Sequence, residues 1–262
     1  MASLLILVIL AAAAVPARAS VCDVPPEMVD SVVPLASTAR GLQRGALRVL
    51  VVGSASVFGP GASGIEASWP SRFAAGLRES RPGLRVEMEV RGGRGVMADE
   101  MVAMILAATA PRPHLVVWQA GTVEAARGLD TDWLARRLNA GLEALRERGV
   151  DAVLMDQQFS RFMRANADID AYRDTLRMAG AVHGAPVLQR YALMQHWADS
   201  ERIDIERTPR ERRVAATDQL NACLAEALVR LVLDGAADAG TPRPEPALSP
   251  EEAPRPAGGA RP

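Results

Sequence analysis

Five short apolar runs, separated by segments with helical spacing, constrain the fold of this chain more than any other feature of its sequence. The runs cover 47–52, 84–90, 114–118, 150–155 and 186–188. Short runs rich in Val and Leu that are bounded by glycine or proline are typical of strands in a buried parallel sheet. Since these strands alternate with helices, we expect a three-layer α/β/α fold with a five-stranded, mainly parallel sheet.

The segments with helical spacing cover 69–78, 97–107, 133–148, 169–182 and 218–233. In a sheet of this kind, ligands bind beyond the carboxyl ends of the strands. The candidate functional residues are therefore those that directly follow a strand. They lie in the segment before the last helix and in 53–59, 91–96, 119–124 and 156–159.

The first residues of the chain have the pattern of an export signal. Leu4 to Val15 is an unbroken apolar run that is too short to span a bilayer, and Ala17 and Ala19 suit a cleavage site before Ser20. We therefore expect a signal peptide over 1–19 and an exported protein, either periplasmic or secreted. Because no Lys or Arg precedes the apolar run, an uncleaved N-terminal anchor is the alternative.

Composition sets the remaining boundaries. Prolines indicate an irregular lead-in over 20–46, followed by the folded domain at 47–234 and a disordered tail at 235–262 that holds seven of the 18 prolines. With 49% hydrophobic residues and a formal net charge of −1, the chain is typical of a globular protein with no stable membrane span. The charge gives no reason to expect a nucleic-acid partner.

The cysteines and histidines show no metal-ligand spacing, so we expect neither a metal nor another cofactor. Export would permit a disulfide between Cys22 and Cys223. The helical pattern around Cys223 favours instead a buried free thiol that packs as a small hydrophobe. The sequence leaves the pairing open, and it does not fix the oligomeric state.

Several segments in order resemble the conserved blocks of the SGNH (GDSL-type) hydrolases, across roughly 22–233. Gly53-Ser54-Ala55-Ser56 resembles the first block, which reads Gly-Ser-Ser-Ser in one exported bacterial branch. The second and third blocks are matched by 90–95 and 118–123, and the start of the last helix by 221–225. The resemblance implies a flavodoxin-like SGNH fold and a family that hydrolyses ester bonds.

The resemblance also implies that the catalytic side chains have been replaced. The family's nucleophilic serine aligns with Ala55 and its oxyanion asparagine with Val123, while its Asp-x-x-His pair aligns with Arg212 and Ala215. Only the oxyanion glycine remains, as Gly92. A methyl group cannot attack a carbonyl, and valine donates no hydrogen bond.

The sequence therefore predicts a non-catalytic SGNH hydrolase-like protein (a pseudoenzyme) of the bacterial envelope that retains a binding cleft. The alternative is an esterase, acting for example on acetylated polysaccharide, with Ser54 or Ser56 as a non-standard nucleophile. Gly92, Arg94 and Arg212 are the predicted binding residues. Because arginine matches carboxylate and phosphate oxygens, the expected ligand is a small anion or an acidic or acylated saccharide.

Overall fold

The five predicted strands form one parallel sheet. They are β1 (Ala46–Ser54), β2 (Arg85–Gly93), β3 (Leu115–Gln119), β4 (Asp151–Met155) and β5 (Val187–Leu188). Their order is β2-β1-β3-β4-β5, and each neighbouring pair is parallel. This arrangement confirms the predicted three-layer α/β fold. The computed structural model describes residues 20–30, 33–108 and 110–239, so the predicted signal peptide and 240–262 of the predicted tail lie outside it.

Helices cover both faces of the sheet. In the described residues they are α1 (Ala36–Gln43), α2 (Trp69–Ser80), α3 (Ala98–Leu106), α4 (Thr122–Arg127), α5 (Thr131–Glu147), α6 (Arg161–Asn166), α7 (Ile169–His183), α8 (Arg190–Asp199) and α9 (Arg213–Asp238). None of these helices is both long and apolar enough to cross a bilayer.

The alternation of side chains along β1 divides the core into two halves. Val49 and Val51 face a cluster that contains buried residues of α2 and α9. Leu50 and Val52 face a second cluster, formed with α3, α5 and α7. Because side chains alternate between the faces of a strand, a strand covered on both sides requires consecutive apolar residues, as 49–52 provide after Arg48.

The lead-in over 20–46, which we expected to be irregular, contains the eight-residue helix α1. Its buried face consists of Ser37, Thr38, Ala39 and Gly41, which carry little hydrophobic signal. The backbone N–H of Thr38 donates to the Asp151 carboxylate at 2.7 Å, at the start of β4. A tertiary contact of this kind cannot be read from the spacing of apolar residues.

The last helix continues past 234, where we expected the domain to end. Helix α9 extends to Asp238, and Gly235 is buried. The Gly235 carbonyl accepts a hydrogen bond from the backbone N–H of Leu35 at 2.8 Å. A Cβ at Gly235 would lie 2.9 Å from Leu35 Cγ, so this glycine permits close packing and does not end the helix.

Cys22 and Cys223 form a disulfide, so the free thiol favoured from the sequence is wrong. The N-terminal segment returns to the surface of α9, where the Gln219 amide also approaches both sulfur atoms. The helical pattern around Cys223 was correct, but it carries no information about a partner 201 residues away.

Candidate functional site

Two serines and one glutamine occupy the crevice between the carboxyl ends of β1 and β3. In this strand order the connections diverge at that point, which is where ligands bind in open α/β sheets. Gln119 Nε2 donates to Ser54 Oγ at 3.3 Å, and Ser56 Oγ donates to Gln119 Oε1 at 2.5 Å. A single neutral amide thus holds both serine hydroxyls, and an amide oxygen is too weak a base to take a proton from serine.

Ala55 lies between the two serines and is half-exposed at the end of β1. It begins the 3₁₀ turn Ala55–Phe58, so no hydroxyl is present at the position that aligns with the family's nucleophile. Both fallback nucleophiles are held against Gln119 at the end of β3, Ser54 from the last position of β1 and Ser56 from the 3₁₀ turn. Ser54 is buried, and Ser56 is half-buried.

Gly92 lies beside Gly53 in the pairing of β1 with β2. Its φ is +149°, and a Cβ at this position would lie 1.9 Å from the Gly53 carbonyl oxygen. The close approach of the two backbones therefore requires glycine at 92 whether or not its N–H serves as an oxyanion donor. Arg94, the second predicted binding residue, is exposed in the turn after β2.

Arg190 places a buried positive charge at the floor of the crevice. It begins α8, separated from the end of β5 by Gln189, and only 4% of the residue is exposed. Its Nη1 donates to Ser56 Oγ at 3.2 Å and its Nη2 to Gln158 Oε1 at 3.3 Å. Burial lowers the pKa of Arg190 to about 10, while Asp156 opposes this shift, so the side chain remains charged at neutral pH.

Asp156 is the buried carboxylate after β4. Its Oδ1 accepts the Tyr191 backbone N–H at 2.9 Å, and its Oδ2 lies 3.3 Å from Arg173 Nε. Burial raises the pKa of Asp156 from its ordinary value of 3.8 to about 6, although these two partners lower it. The folded protein therefore holds this proton more tightly than the unfolded chain does. Stability is lost as the pH rises from about 4 to about 6.

A second buried carboxylate belongs to Glu124, next to Val123 in α4. Its two oxygens accept the backbone N–H groups of Ala98 at 2.7 Å and Gly121 at 3.0 Å, so it joins the loops after β2 and β3. Burial raises the pKa of Glu124. Val123 itself is half-buried and presents no hydrogen-bond donor in its side chain.

None of the three histidines, all of which are described, is hydrogen-bonded to either serine. His114 directly precedes β3, at the amino ends of the strands and so at the opposite end from the serines. Its Nδ1 accepts the Arg48 backbone N–H at 3.0 Å. His183 ends α7 and contacts Asn139 and Glu143. His196 is half-buried in α8 and makes no side-chain hydrogen bond within the described ranges. The part of the chain that the structure describes thus pairs no histidine with Ser54 or Ser56.

Arg212 and Ala215 are exposed, at the start of α9. They line a cavity of about 690 Å³ whose other walls come from 198–209, Ala216 and Gln219. The residues that line this cavity do not include Ala55, Gly92 or Arg94. The structure thus places Arg212 in a different cavity from the one expected for the binding residues.

Sequence reasoning placed Gln119 and Gln158 in candidate loops without giving either residue a role, and it missed Arg190. The signal for Arg190 was available, because it stands just after a strand, as the other candidate positions do. Gln157 could not have been assigned from the sequence. Its side-chain oxygen and nitrogen are both buried, with no hydrogen-bond partner in the described protein.

The geometry can be set beside known proteins. A model of a non-GDSL lipase-like family matches residues 21–238. Similar solved structures include a G-D-S-L family protein from Desulfitobacterium hafniense (15% identity, TM-score 0.55, 71% of this chain and 99% of that one). An acetyl-xylooligosaccharide esterase from Geobacillus is 17% identical with a TM-score of 0.54, and the match covers 71% of this chain and 94% of that one. A psychrotrophic esterase from Pseudoalteromonas is 11% identical with a TM-score of 0.52, and the match covers 69% of this chain and 98% of that one. A search of curated proteins gives no match.

Proposed function

The chain belongs to the non-GDSL lipase-like family, within the SGNH hydrolases that its sequence resembles, and from this premise we propose that it is a non-catalytic binding protein of the bacterial envelope. In this proposal the strand-end crevice is retained as a ligand site after the loss of ester hydrolysis. Its floor is formed by Ser56, Gln158 and Arg190.

The observation that carries the proposal is the bonding of the serines on either side of Ala55. A serine nucleophile needs a base within hydrogen-bond reach that is itself oriented by a third group. Here Ser54 and Ser56 contact the Gln119 amide, and Ser56 also accepts a hydrogen bond from Arg190. An arginine that stays protonated donates hydrogen bonds and takes no proton from the hydroxyl.

The buried carboxylates offer no substitute base. Asp156 and Glu124 already accept backbone N–H groups, and Asp156 also pairs with Arg173. Burial raises the pKa of both groups, but a general base must lie within hydrogen-bond reach of the hydroxyl, and in the described protein neither carboxylate is hydrogen-bonded to Ser54 or Ser56. The esterase alternative with a displaced serine therefore lacks its second component.

Export is supported by the disulfide between Cys22 and Cys223. Disulfides persist in oxidising compartments such as the periplasm and are rare in the cytosol. We expect the mature protein to begin at Ser20, which leaves Cys22 near the new terminus. Mass spectrometry of the protein isolated from its native host would test this, and an intact Met1 on protein from the cytosolic fraction would contradict it.

For the ligand, we propose a small anion or an acidic or acylated saccharide. The support for a negatively charged group is the buried guanidinium of Arg190, which a carboxylate or phosphate would complement. Arg212, which the sequence suggested for this role, lies in the separate cavity at the start of α9.

The proposal is tested by incubating the purified protein with p-nitrophenyl acetate and with a serine-reactive fluorophosphonate probe. We expect hydrolysis at the rate of the buffer alone and no covalent labelling. The matched controls are Ser54→Ala and Ser56→Ala, which should behave as the wild type does. An initial burst of nitrophenol, or labelling that Ser56→Ala abolishes, would establish an active serine and refute the absence of catalysis.

A further inference from the structure

The Arg190 guanidinium is a buried charge without a counter-ion in the described protein. Both of its hydrogen bonds end on neutral oxygens, those of Ser56 and Gln158. Its Nε is buried and has no acceptor. Among the described residues no carboxylate forms an ion pair with it, although removing an unpaired charge from water is costly.

Asp156 does not neutralise this charge, because it is already shared. Its oxygens are engaged by the Tyr191 N–H and by Arg173. Arg173 has a second partner in Asp170, but the Asp170 side chain is 81% exposed and is therefore screened by solvent. Among the described residues, Asp156 is thus the one buried carboxylate that interacts with both guanidinium groups, those of Arg190 and Arg173.

The position of Arg190 in its helix adds to the imbalance. It is the first residue of the ten-residue helix α8, where the free backbone N–H groups create a positive potential. A cation at this end of a helix is unfavourable, and an anion is favourable. One negative charge beside the guanidinium would offset both the unpaired charge of Arg190 and the positive potential at the start of α8.

A negatively charged ligand would reach the Arg190 guanidinium beside Ser56 and Gln158. Both residues are half-buried and accept hydrogen bonds from Arg190, whereas Arg190 itself is almost completely covered. Ala55 is half-exposed beside Ser56 and presents a methyl group. A ligand that enters here meets hydrogen-bond donors at its charged end and an apolar neighbour at the other.

We propose that the crevice between Ala55–Ser56 and Gln158 binds a small carboxylate of acetate size, with the Arg190 guanidinium as its counter-ion. The inference rests on the proposed function, since it specifies the ligand class of the same crevice. The carboxylate accepts N–H bonds from the guanidinium, whose planar fork matches its two oxygens. The guanidinium is the donor on which this inference depends, because the Ser56 hydroxyl already donates its one proton to Gln119 Oε1.

The test is isothermal titration calorimetry of the full-length protein in chloride-free HEPES. Sodium acetate is the probe, and acetamide, which has the same shape and no charge, is the ligand control. We expect saturable binding of acetate and none of acetamide. In Arg190→Gln the dissociation constant should rise at least about tenfold, since a charge-assisted bond is lost. Arg212→Gln, the matched arginine control, should bind acetate as the wild type does.

A crystal of the wild-type protein grown with bromoacetate keeps the inference testable if Arg190→Gln does not fold. The anomalous signal of bromine should lie beside the Arg190 guanidinium. The inference is overturned by equal binding of acetate and acetamide, by no binding of acetate, by unchanged affinity in folded Arg190→Gln, by lost affinity in Arg212→Gln, or by bromine located elsewhere. Ester hydrolysis would refute the proposed function alone, and absent acetate binding would refute the anion site alone.

Discussion

Removal of the Cys22–Cys223 disulfide is expected to lower the free energy of unfolding by about 5 kcal/mol. The bond joins residues 201 apart, so it removes the entropy of closing almost the whole folded chain from the unfolded state. For a loop of this length the chain-entropy relation gives about 18 cal/mol/K, or about 5 kcal/mol at 25 °C. With an m-value of about 3 kcal/mol/M in urea, the unfolding midpoint should fall by about 2 M.

The cleanest variant is Cys22→Ser, because Cys22 is half-buried whereas Cys223 is 1% exposed. The remaining thiol of Cys223 can stay in the core as a small hydrophobe. Urea unfolding would be followed by circular dichroism with and without dithiothreitol. Reductant should lower the midpoint of the wild type and leave that of the variant unchanged. Coincident midpoints for the oxidised wild type and the variant would refute the loop-entropy reasoning.

Three further predictions concern the crevice. The wild type should lose about 3 kcal/mol of unfolding free energy between pH 4 and pH 7, because the pKa of Asp156 is raised to about 6 in the folded protein. Asp156→Asn should not show this loss. Parallel pH profiles of urea stability for the two proteins would contradict the prediction. Gly92→Ala should lower the free energy of unfolding by at least about 2 kcal/mol, because the new Cβ would overlap the Gly53 backbone. Gly64→Ala is the control, since a Cβ there meets nothing within 4 Å. Equal melting temperatures for the two variants would argue against the prediction. The pair Ala55→Ser and Val123→Asn should fold with stability unchanged or lowered by about 0–2 kcal/mol in thermal melts, since restoring polar groups to a functional site rarely stabilises it; a clearly raised melting temperature would refute this.

The strands and the long helices could be predicted because their signals are local. The apolar runs of β1, β3 and β4 are buried on both faces, whereas the alternating run of β2 is exposed on one face. The leucines of α5 lie on one buried face, as their spacing requires. The α5 helix also begins where Asp130 caps it, by accepting the Trp133 backbone N–H at 2.8 Å. Periodicity and capping depend on residues a few positions apart, so the sequence alone contains them.

The site could be predicted only in part. The sequence located the loops after β1 and β3, and the replacement of the nucleophile by Ala55 stays a prediction from the resemblance. It also grouped Arg212 with Gly92, because an alignment places residues by family position and takes no account of whether the new side chain is exposed. Arg212 is exposed on a different cavity, and the buried cation of the crevice is Arg190.

What the sequence alone determined is thus the order of strands and helices, while the loss of the catalytic side chains stays a prediction from the resemblance. What only the tertiary structure decided is which polar groups share an environment. The Gln119 amide between the two serines, the disulfide across 201 residues and the burial of Arg190 each depend on chain segments brought together by the sheet. Burial sets the cost of a charge, and burial is a property of the packed chain that the local sequence does not carry.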